Sequence, residues 1–527
     1  MKIASKIIAL SMLFSLQFVR AQNANDVFWY NDTELNGTAR FMGTAGTIST
    51  LGSDLSAISV NPAGATAFLA NRISWTPGFY SLNNTLRYGQ NTDLTEDKNI
   101  YHNVFNTNHF GFVMPYVSTT SEWNKLAFGI TYGINRLYAN NFKAEGNGYT
   151  MQSLADYFVN EAQGVPTGDL KVGLLETTDG VYSWLGENYG SYAQHAFLAY
   201  QGYVINPVSN SDNNTDYVSN ASFAQPLHRL FKQRNAGKKT EFQFFFAGEY
   251  KHKLSLGVSF TQTGMDMTRQ RSIAEDGYDN NSTLQYAAYS TWLRTKATGY
   301  RLKLGMIFKP LKPLRLSLAY QTPVWWKMSE SLQESLYSKA RDIDDLDNDG
   351  NTTEINVFDL QPAQINNFSP YRYIEPGKWS AGLAYIVGKN GFLSVNYSYR
   401  NWAGTHFAAL DNDAQTADYY DALNDQIKQV FTATQRVAVG GEFRVDAFSL
   451  RGGYFVQTSP YRDFRNQVFV KGMTFGMGYD FGNVELDFGL INAHKKFYQQ
   501  FLSNGLTESF SVNKTRNAYA LTLRVNL

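Results

Sequence analysis

Short segments in which apolar and polar side chains alternate constrain the fold of this chain more than any other feature of its sequence. Alternation along a strand places every second side chain on the same face of a sheet. In the segment 313–323, the even-numbered residues from Leu314 to Tyr320 are apolar, whereas Arg315 and Ser317 lie on the other face. About fourteen such segments occur, at 71–80, 107–118, 124–138, 241–250, 253–265, 297–309, 313–323, 378–388, 390–402, 433–444, 446–457, 470–481, 483–494 and 515–527.

The connections between these segments alternate strictly between short and long. Transmembrane β-barrels have this pattern, because short turns join their strands at the periplasmic end and long loops join them at the outer end. A soluble sandwich also needs one apolar face per strand, but it does not need this order of connections. We therefore predict an all-β chain, folded as a transmembrane antiparallel β-barrel of about 14 strands. The short connections lie near 119–123, 251–252, 310–312, 389, 445 and 482, and the long ones near 81–106, 139–240, 266–296, 324–377, 403–432, 458–469 and 495–514.

Composition supports a β-rich membrane protein and excludes other classes. Aromatic residues make up 15% of the 527 residues and charged residues only 17%. Cysteine is absent, so the chain can form neither a disulfide nor a thiolate metal site. The formal charge of +1 argues against nucleic-acid binding, which needs an excess of basic residues. No later stretch is apolar for eighteen consecutive residues, so no transmembrane helix is expected.

Residues 1–21 have the pattern of a secretory signal peptide. Lys2 and Lys6 form a charged start, an apolar run extends from Ile7 to Phe18, and Ala21 ends an acceptable cleavage site. Removal of this leader takes three of the 46 basic residues, which leaves 43 against 45 acidic ones. The alternative is an uncleaved anchor, for which the apolar run is short.

A segment rich in glycine and alanine follows the leader. It opens with Gly-Thr-Ala-Arg-Phe-Met-Gly at 37–43 and closes with Asn-Pro-Ala-Gly at 61–64. Small residues let backbones approach closely, so this segment is suited to filling the interior of a larger structure. We predict that 22–70 form a hatch inside the lumen and that 71–527 form the barrel. The candidate hatch residues are Gly37, Arg40, Gly43, Asn61, Pro62, Ala63 and Gly64. Asn61 is expected to hydrogen-bond to the backbone of the wall, because a buried amide left unpaired is costly.

The two motifs, in this order and shortly after a leader, resemble the N-terminal hatch of the FadL/OmpP1/TodX family of outer-membrane transporters. The motif match covers 37–64, and the architectural match covers nearly the whole mature chain. The resemblance implies a monomer in the bacterial cell outer membrane that takes up long-chain fatty acids, aromatic hydrocarbons or similar molecules passively. It also implies an internal pocket and release through a lateral opening of the wall. A general porin and a structural or adhesive barrel are the alternatives.

The sequence does not point to an enzyme. Its seven histidines are scattered, and neither a Gly-x-Ser-x-Gly elbow nor a His-Glu-x-x-His zinc motif occurs. The expected partners are hydrophobic small molecules, together with the outer-membrane lipid and lipopolysaccharide that would surround the barrel. No cofactor is expected to be required.

One acidic stretch resembles the first half of an EF-hand-type Ca²⁺ loop. Carboxylates at alternate positions converge on one hard cation, and Gly350 permits the tight turn. The twelfth position holds an asparagine in place of the bidentate glutamate. Two interpretations of this stretch are possible: a structural Ca²⁺ in loop 342–356, or an acidic, solvated loop tip. The candidate ligands are Asp345, Asp347, Asp349, Asn351 and Asn356.

Two basic residues are candidates for binding a ligand carboxylate. On 297–309 the alternate apolar residues face lipid, so Arg301 and Lys303 face the lumen. Basic groups there can hold a carboxylate by charge-assisted hydrogen bonds. They can equally form ion pairs with lumen acids such as Glu485 or Asp487.

The segments 107–118 and 124–138 carry the residues expected at a lateral opening. Pro115 lies on the lumen face and cannot donate a ladder hydrogen bond. Gly129 and Gly133 make the facing surface small and pliable. We expect the ladder to be interrupted near Pro115 and Gly129, and the alternative is an ordinary bulge at the rim. In the family that the chain resembles, ligand leaves through an inward kink of this strand.

The stretches 139–240 and 324–377 are expected to be long extracellular loops. The first is too long to lack structure, and 154–159 and 193–203 are predicted to form short amphipathic helices. In the family, helical outer loops help to capture ligand, whereas a purely protective surface is the alternative.

Overall fold

The computed structural model describes residues 24, 26–89, 100–341, 354–410, 414–464 and 467–527. One sheet closes on itself, because β1 pairs with β2 on one side and with the last strand, β22, on the other. The strands are β1 (Arg72–Arg87), β2 (Ile100–Val117), β3 (Trp123–Leu137), β4 (Asn140–Asn147), β5 (Ile205–Pro207), β6 (Tyr217–Ser219), β7 (His228–Tyr250), β8 (Leu254–Asp276), β9 (Leu284–Phe308), β10 (Leu314–Gln321), β11 (Val324–Arg341), β12 (Ile355–Leu360), β13 (Asn366–Asn367), β14 (Tyr371–Glu375), β15 (Lys378–Val387), β16 (Gly391–Asn401), β17 (His406–Ala409), β18 (Ala433–Val445), β19 (Phe448–Thr458), β20 (Val468–Asp480), β21 (Val484–Gln500) and β22 (Ser509–Asn526).

Within the described residues, these strands make fourteen antiparallel passes around the barrel. Every predicted segment falls on one pass, so the predicted all-β barrel and its strand number are confirmed. Several passes consist of consecutive strands: β3 continues into β4, β10 into β11, β12 through β14 into β15, and β16 into β17. Strands β5 and β6 form a separate small sheet outside the wall.

The strands reach further beyond the membrane than the alternation predicts. Strands β7, β8 and β9 are 23, 23 and 25 residues long. Strands β4 and β7 enter 139–240, and β11 and β14 enter 324–377, so both predicted loops are shorter than expected. The physical reason is that both faces of these extensions carry polar residues, which removes the alternation that marks a strand in the bilayer.

The outward face of the wall carries a broad apolar band. On β9, Tyr300, Leu302 and Leu304 are all exposed. Aromatic pairs flank this band: Phe260 stacks on Tyr300 with ring centroids 5.8 Å apart, toward the long-loop end. An apolar band between aromatic girdles fits a bilayer.

The helices lie inside the barrel and above its outer end. None of the helices in the described part of the chain is both long and apolar enough to cross a membrane. The α-helices are α1 (Asp26–Asn31), α2 (Ala39–Gly43), α3 (Leu55–Ile58), α4 (Leu154–Ala162), α5 (Thr178–Asn188), α6 (Ser191–Gln201) and α7 (Ala414–Val430), and the 3-10 helices are Thr47–Thr50, Pro62–Ala67, Thr167–Leu170, Trp402–Gly404 and Arg462–Phe464.

Two cores fix the functional parts of the molecule. Helices α1 to α3 and the first two 3-10 helices form the hatch, whose Met42 and Ile48 are fully buried against the lumen wall. Helices α4 to α6 form an outer cap with a core of its own, centred on Phe158 and Phe197. Helices α4 and α6 confirm the two helices expected in 139–240.

Candidate functional site

Asn61 joins the close of the hatch to the wall. Its Nδ2 donates to the carbonyl oxygen of Met306 on β9 at 3.2 Å, which is the wall contact that the sequence analysis expected. Its Oδ1 accepts a hydrogen bond from the amide of Ala63 at 3.1 Å, so the same side chain caps the 3-10 helix that begins at Pro62. Asn61, with 2% of its surface exposed, thus ties the turn of the hatch to one wall strand.

Glycines in the wall let the hatch backbone lie directly against the strands. A methyl group added at Gly453 would lie 2.8 Å from Cβ of Ala45, and one added at Gly305 would overlap the Asn61 side chain. Gly43 of the hatch meets Gly476 of the wall, where an added methyl would lie 3.0 Å from Cα. The wall glycines that meet the hatch backbone are Gly257, Gly305, Gly440, Gly453, Gly476 and Gly489, whereas Gly111 and Gly382 meet the Leu55 and Thr50 side chains of the hatch. The hatch backbone therefore lies directly against six wall strands.

Gly37 and Gly64 act within the hatch rather than against those wall glycines. Gly64 packs on Gly52, where an added methyl would lie 2.9 Å from Cα. Gly37, with φ of +148°, packs on Ser56 of the hatch, where an added methyl would lie 2.8 Å from Cβ, and its carbonyl also accepts a hydrogen bond from Asn108 Nδ2 on β2 at 2.5 Å. The opening and the close of the motif therefore hold separate hatch turns together.

Acidic residues before the motif pair with basic residues of the lumen wall. Asp26 lies 2.8 Å from Arg269, and Asp32 lies 2.5 Å from Lys495. Burial alone would raise the pKa of Glu34, but Lys514, Arg516 and Arg136 outweigh it and lower the pKa to about 2. The negative charge of the hatch thus balances positive charge on the wall.

Arg40 fixes the opening of the motif to the periplasmic end of the wall. Its Nε and Nη2 donate to the two carboxylate oxygens of Glu442 at 2.7 and 2.9 Å. Arg451 also donates to Glu442 at 2.6 Å and reaches Asp487 at 2.5 Å. Bidentate arginine–carboxylate pairs are geometrically specific, so Arg40 sets the orientation of α2 against β18 and β19.

Arg301 and Lys303 face the lumen but are already engaged in ion pairs there. Both pair with Glu241 on β7, and the Lys303 Nζ to Glu241 Oε2 distance is 2.7 Å. Lys303 also donates to the carbonyl oxygen of Ser59 in the hatch at 2.9 Å. The acids suggested as partners by the sequence were wrong: Glu485 and Asp487 pair with arginines nearer the periplasmic end. Alternation gives the face of a residue but not its height in the barrel.

We expect Glu241→Gln to destabilise the barrel. Arg301 and Lys303 would then be two buried charges without their carboxylate, and breaking a buried ion pair costs about 3 kcal/mol. Urea unfolding followed by tryptophan fluorescence measures the loss. The control is Glu122→Gln, whose ion pair with Lys251 is solvent-exposed and whose loss should leave the unfolding midpoint unchanged. Equal midpoints for both variants would show that Glu241 holds no buried charge in place.

A cavity of about 580 Å³ lies where β4, β7, β8, β9 and β11 extend beyond the apolar band. Phe142, Gln233, Arg271 and Glu334 are among the residues that line it. Arg271 lies two residues beyond Arg269 and so shares its lumen face. Among the described residues Arg271 forms no ion pair, and its nearest polar contact is Gln233 Oε1 at 3.4 Å. The cavity therefore combines an aromatic ring with a cation that has no acid partner there.

The wall has a gap between β2 and the strand pair β3–β4. The ladder of β2 with β3 runs unbroken from Val117–Lys125 to His109–Gly133. Within the described residues, β2 pairs with β1 alone before His109, and β3 and β4 pair with β7 alone beyond Gly133.

The inward course of β3 and β4 produces this gap. Leu137, Tyr138 and Ala139 are buried in succession, although a strand within a wall exposes every second residue to lipid. Beyond them, the carbonyl oxygen of Asn141 accepts a hydrogen bond from Asn84 Nδ2 of β1 at 3.1 Å. The strand has therefore bent into the lumen behind β2.

The expected interruption of the ladder near Pro115 and Gly129 is wrong. Pro115 pairs with Ala127 and Gly129 with Val113, both in regular register. The last β1–β2 pair is Arg72–Val113, so Pro115 lies beyond it, at the rim of the barrel. On the β1 side, Pro115 therefore has no ladder to interrupt. Of the three residues, Gly133 borders the gap, because it is the last residue of β3 that pairs with β2.

His195 docks the outer cap onto the wall. Its Nδ1 lies 2.9 Å from Glu161 on α4, and its Nε2 lies 2.9 Å from Glu334 on β11. Burial alone would lower the pKa of His195, but the Glu334 and Glu161 carboxylates outweigh it and raise the pKa to about 10. The imidazolium therefore bridges the cap and the wall beside the cavity, which Glu334 also lines.

The docking of the cap is expected to weaken in alkaline solution. The pKa of His195 rises from 6.5 to about 10 on folding, so its stabilising contribution is fully present below pH 6.5 and is lost as pH rises through 10. Limited proteolysis of the cap between these values should accelerate with pH. In His195→Gln, which cannot be protonated, cleavage should be faster at pH 6.5 and should change less with pH. Identical pH profiles would exclude His195 as the titrating group.

Four of the five proposed metal ligands lie outside the described residues, namely Asp345, Asp347, Asp349 and Asn351. The fifth, Asn356, belongs to β12. In the described ranges, no group of three or more histidine, aspartate or glutamate side chains is arranged to hold a metal ion.

Comparison with known proteins supports the fold. No family model and no curated protein matches the chain. The crystal structure of a FadL homologue of Pseudomonas aeruginosa is similar, with a TM-score of 0.54 and 11% identity over 94% of this chain and 99% of that one. Toluene transporters of Pseudomonas putida (TodX) and Ralstonia pickettii (TbuX) align with TM-scores of 0.46 at 11% and 12% identity, each over 94% of this chain and 99% of the other. The likeness to the FadL homologue confirms the fold that the resemblance implies.

Proposed function

We propose that the protein is a bacterial outer-membrane channel through which hydrophobic molecules pass by passive diffusion. The gap between β2 and β4, in the wall of an otherwise closed and filled barrel, is the observation that carries this proposal. A hatch seated at backbone distance blocks a straight path for water and ions. A hydrophobic solute has a sideways path, because the gap leads from the lumen into the apolar band.

The cavity and the gap are connected by one strand. Phe142 of β4 lines the cavity, and the inward bend of the same pass borders the gap. A ligand that enters beneath the cap therefore meets β4 first and can follow it toward the opening. His195 of α6 lies 2.9 Å from Glu334, which lines the cavity, and this position of the cap beside the cavity supports a role for it in capture.

Arg271 is the group we propose for an anionic end of the ligand, in place of Arg301 and Lys303. It lines the cavity, and the described residues leave it without an ion pair, whereas the other two are held by Glu241. Arg271→Gln is expected to reduce uptake of a long-chain fatty acid and to leave uptake of toluene unchanged. Arg294→Gln, on the outward face of β9, is the matched control. Equal losses for both ligands would contradict a carboxylate-specific role.

Uptake by cells that lack their own hydrophobic channels tests the function. Expression of the protein should increase entry of oleate or toluene over an empty vector and should leave entry of a polar sugar unchanged. The hatch argues against the alternative of a general porin, because it blocks a straight path through the lumen. A large, steady ion current through the purified protein, with free passage of the sugar, would replace the proposal by that porin.

A further inference from the structure

Basic side chains are concentrated on one part of the outward face, directly above the apolar band. Five of them form what we call the basic outer patch. They lie on β7, β9, β11 and β14, and Asp266 on β8 lies among them. The patch consists of Lys238, Arg294, Lys296, Lys327 and Arg372.

Strand register makes the patch continuous. Asp266 lies between Lys238 and Lys296, as the direct partner of both. On the next pair of strands, Lys327 lies directly opposite Arg372. Neighbouring strands are about 4.8 Å apart, so the five strands spread the patch over about 20 Å of the wall.

The patch lies at the level of lipid headgroups. On β9, Lys296 lies four residues from the exposed aromatic Tyr300, which places it about 13 Å further along the strand toward the long-loop end. On β11, Lys327 lies two residues beyond the exposed Trp325. Exposed aromatics mark the edge of the hydrocarbon layer in transmembrane barrels, so the patch faces the headgroups of the outer leaflet.

The positive charge of the patch is not balanced by the protein. Arg294 pairs with Asp266 at 3.0 Å, but Lys296, Lys327 and Arg372 form no ion pair with any described residue. Like charges directly opposite each other, as at Lys327 and Arg372, destabilise a sheet. Their presence is explained if an external anion neutralises them.

Strands β22 and β1, on the opposite side of the barrel, carry no such charge at the corresponding level. Above the apolar band, the outward face of β22 carries only uncharged polar side chains over the corresponding stretch. The outward face of β1 is also uncharged and polar as far as Thr85. These residues are Asn513, Thr515 and Asn517 on β22 and Ser81, Asn83 and Thr85 on β1.

We propose that the basic outer patch binds the phosphorylated headgroup of an outer-leaflet glycolipid such as lipopolysaccharide. Phosphate oxygens accept charge-assisted hydrogen bonds from lysine and arginine, and the apolar band beneath the patch receives the acyl chains. Free phosphate would lack this second contact. The inference rests on the outer-membrane location in the proposed function, but it concerns a different surface from the transport path.

Binding of purified lipid A to the detergent-solubilised full chain tests the proposal. Lys296→Gln, Lys327→Gln and Arg372→Gln together remove the unpaired charges. Each basic group near an anionic lipid contributes about fivefold, so the triple variant should bind about a hundredfold more weakly. The matched control combines Arg87→Gln, Lys471→Gln and Lys496→Gln, which are outward-facing on β1, β20 and β21, and it should bind like the unaltered protein.

Two further measurements separate the sources of phosphate. Dephosphorylated lipid A should bind the unaltered protein about as weakly as intact lipid A binds the triple variant. A large excess of inorganic phosphate should not displace lipid A. Equal binding by the triple variant and the control variant, equal binding of the dephosphorylated lipid, or complete displacement by phosphate would each overturn the proposal. Uptake of hydrophobic ligand is measured separately, so failure here leaves the transport function standing.

Discussion

Deletion of residues 22–64 is expected to turn the barrel into an open pore that conducts anions. The hatch fills the lumen at backbone distance from six wall strands, so its loss should raise conductance in a planar bilayer by roughly tenfold or more, since barrels of slightly larger size hold water-filled channels. The wall would keep Arg269, Lys495, Lys514 and Arg516 without the hatch acids that neutralise them. A reversal potential in a KCl gradient should therefore show selectivity for chloride.

A second variant keeps this prediction testable if the deletion does not fold. Gly305→Val retains the whole chain but places a side chain where Asn61 now lies, and it should unseat the hatch and raise conductance less than the deletion does. Gly452→Val is the matched control, because a methyl group added there meets no atom within 4 Å. Unchanged conductance in a correctly folded deletion variant would show that this segment is not a plug.

Gly133→Trp is expected to close the lateral path and reduce hydrophobic uptake to background. Gly133 is the last residue of β3 paired with β2, at the edge of the gap. An added methyl there meets its nearest atom, in the His109 ring, at 3.5 Å, so the backbone can accept a side chain. An indole at this position would occupy the space between the diverging strands. Uptake of oleate or toluene by cells measures the effect.

The choice of glycine matters for this experiment. A side chain at Gly129 would overlap the carbonyl oxygen of Phe112 and the ring of Phe245, so loss of uptake there would report misfolding. Gly452→Trp on β19 serves as the control for an added indole on the far side of the barrel. Wild-type uptake by a folded Gly133→Trp variant would contradict an exit through this gap.

The barrel could be predicted from the sequence because the bilayer enforces alternation wherever a strand is in contact with lipid. The alternation of Leu314 to Tyr320 identified β10, and the order of short and long connections fixed the closed topology. The hatch could be predicted because small residues at 37–64 are unsuited to an independent core. Where lipid contact ends, as beyond Phe260 on β8, the pattern fades and the strand extensions were missed.

The cavity and the gap could not be predicted, because both depend on how distant strands come together. Arg271 lies beyond the predicted end of its segment at 265, and the sequence shows no signal there except that it continues the spacing of Arg269. The bend at Leu137 to Ala139 follows from contacts with the hatch: Arg136 and Tyr138 both donate to the carbonyl oxygen of Trp29. A proline was a plausible local cause of a break, but tertiary contacts decide where the wall opens.

The pairing of the hatch with the last strand has a consequence for biogenesis. Glu34 binds Lys514 and Arg516 on β22, and the amide of Ala39 donates to Thr522 Oγ1 of the same strand at 2.7 Å. The hatch is synthesised first and β22 last. The final contacts of the hatch therefore become available only when the seam between β1 and β22 can be sealed. Completion of the barrel and the last contacts of its plug are therefore expected together, so a nascent barrel without β22 would be unsealed and would hold its plug less firmly.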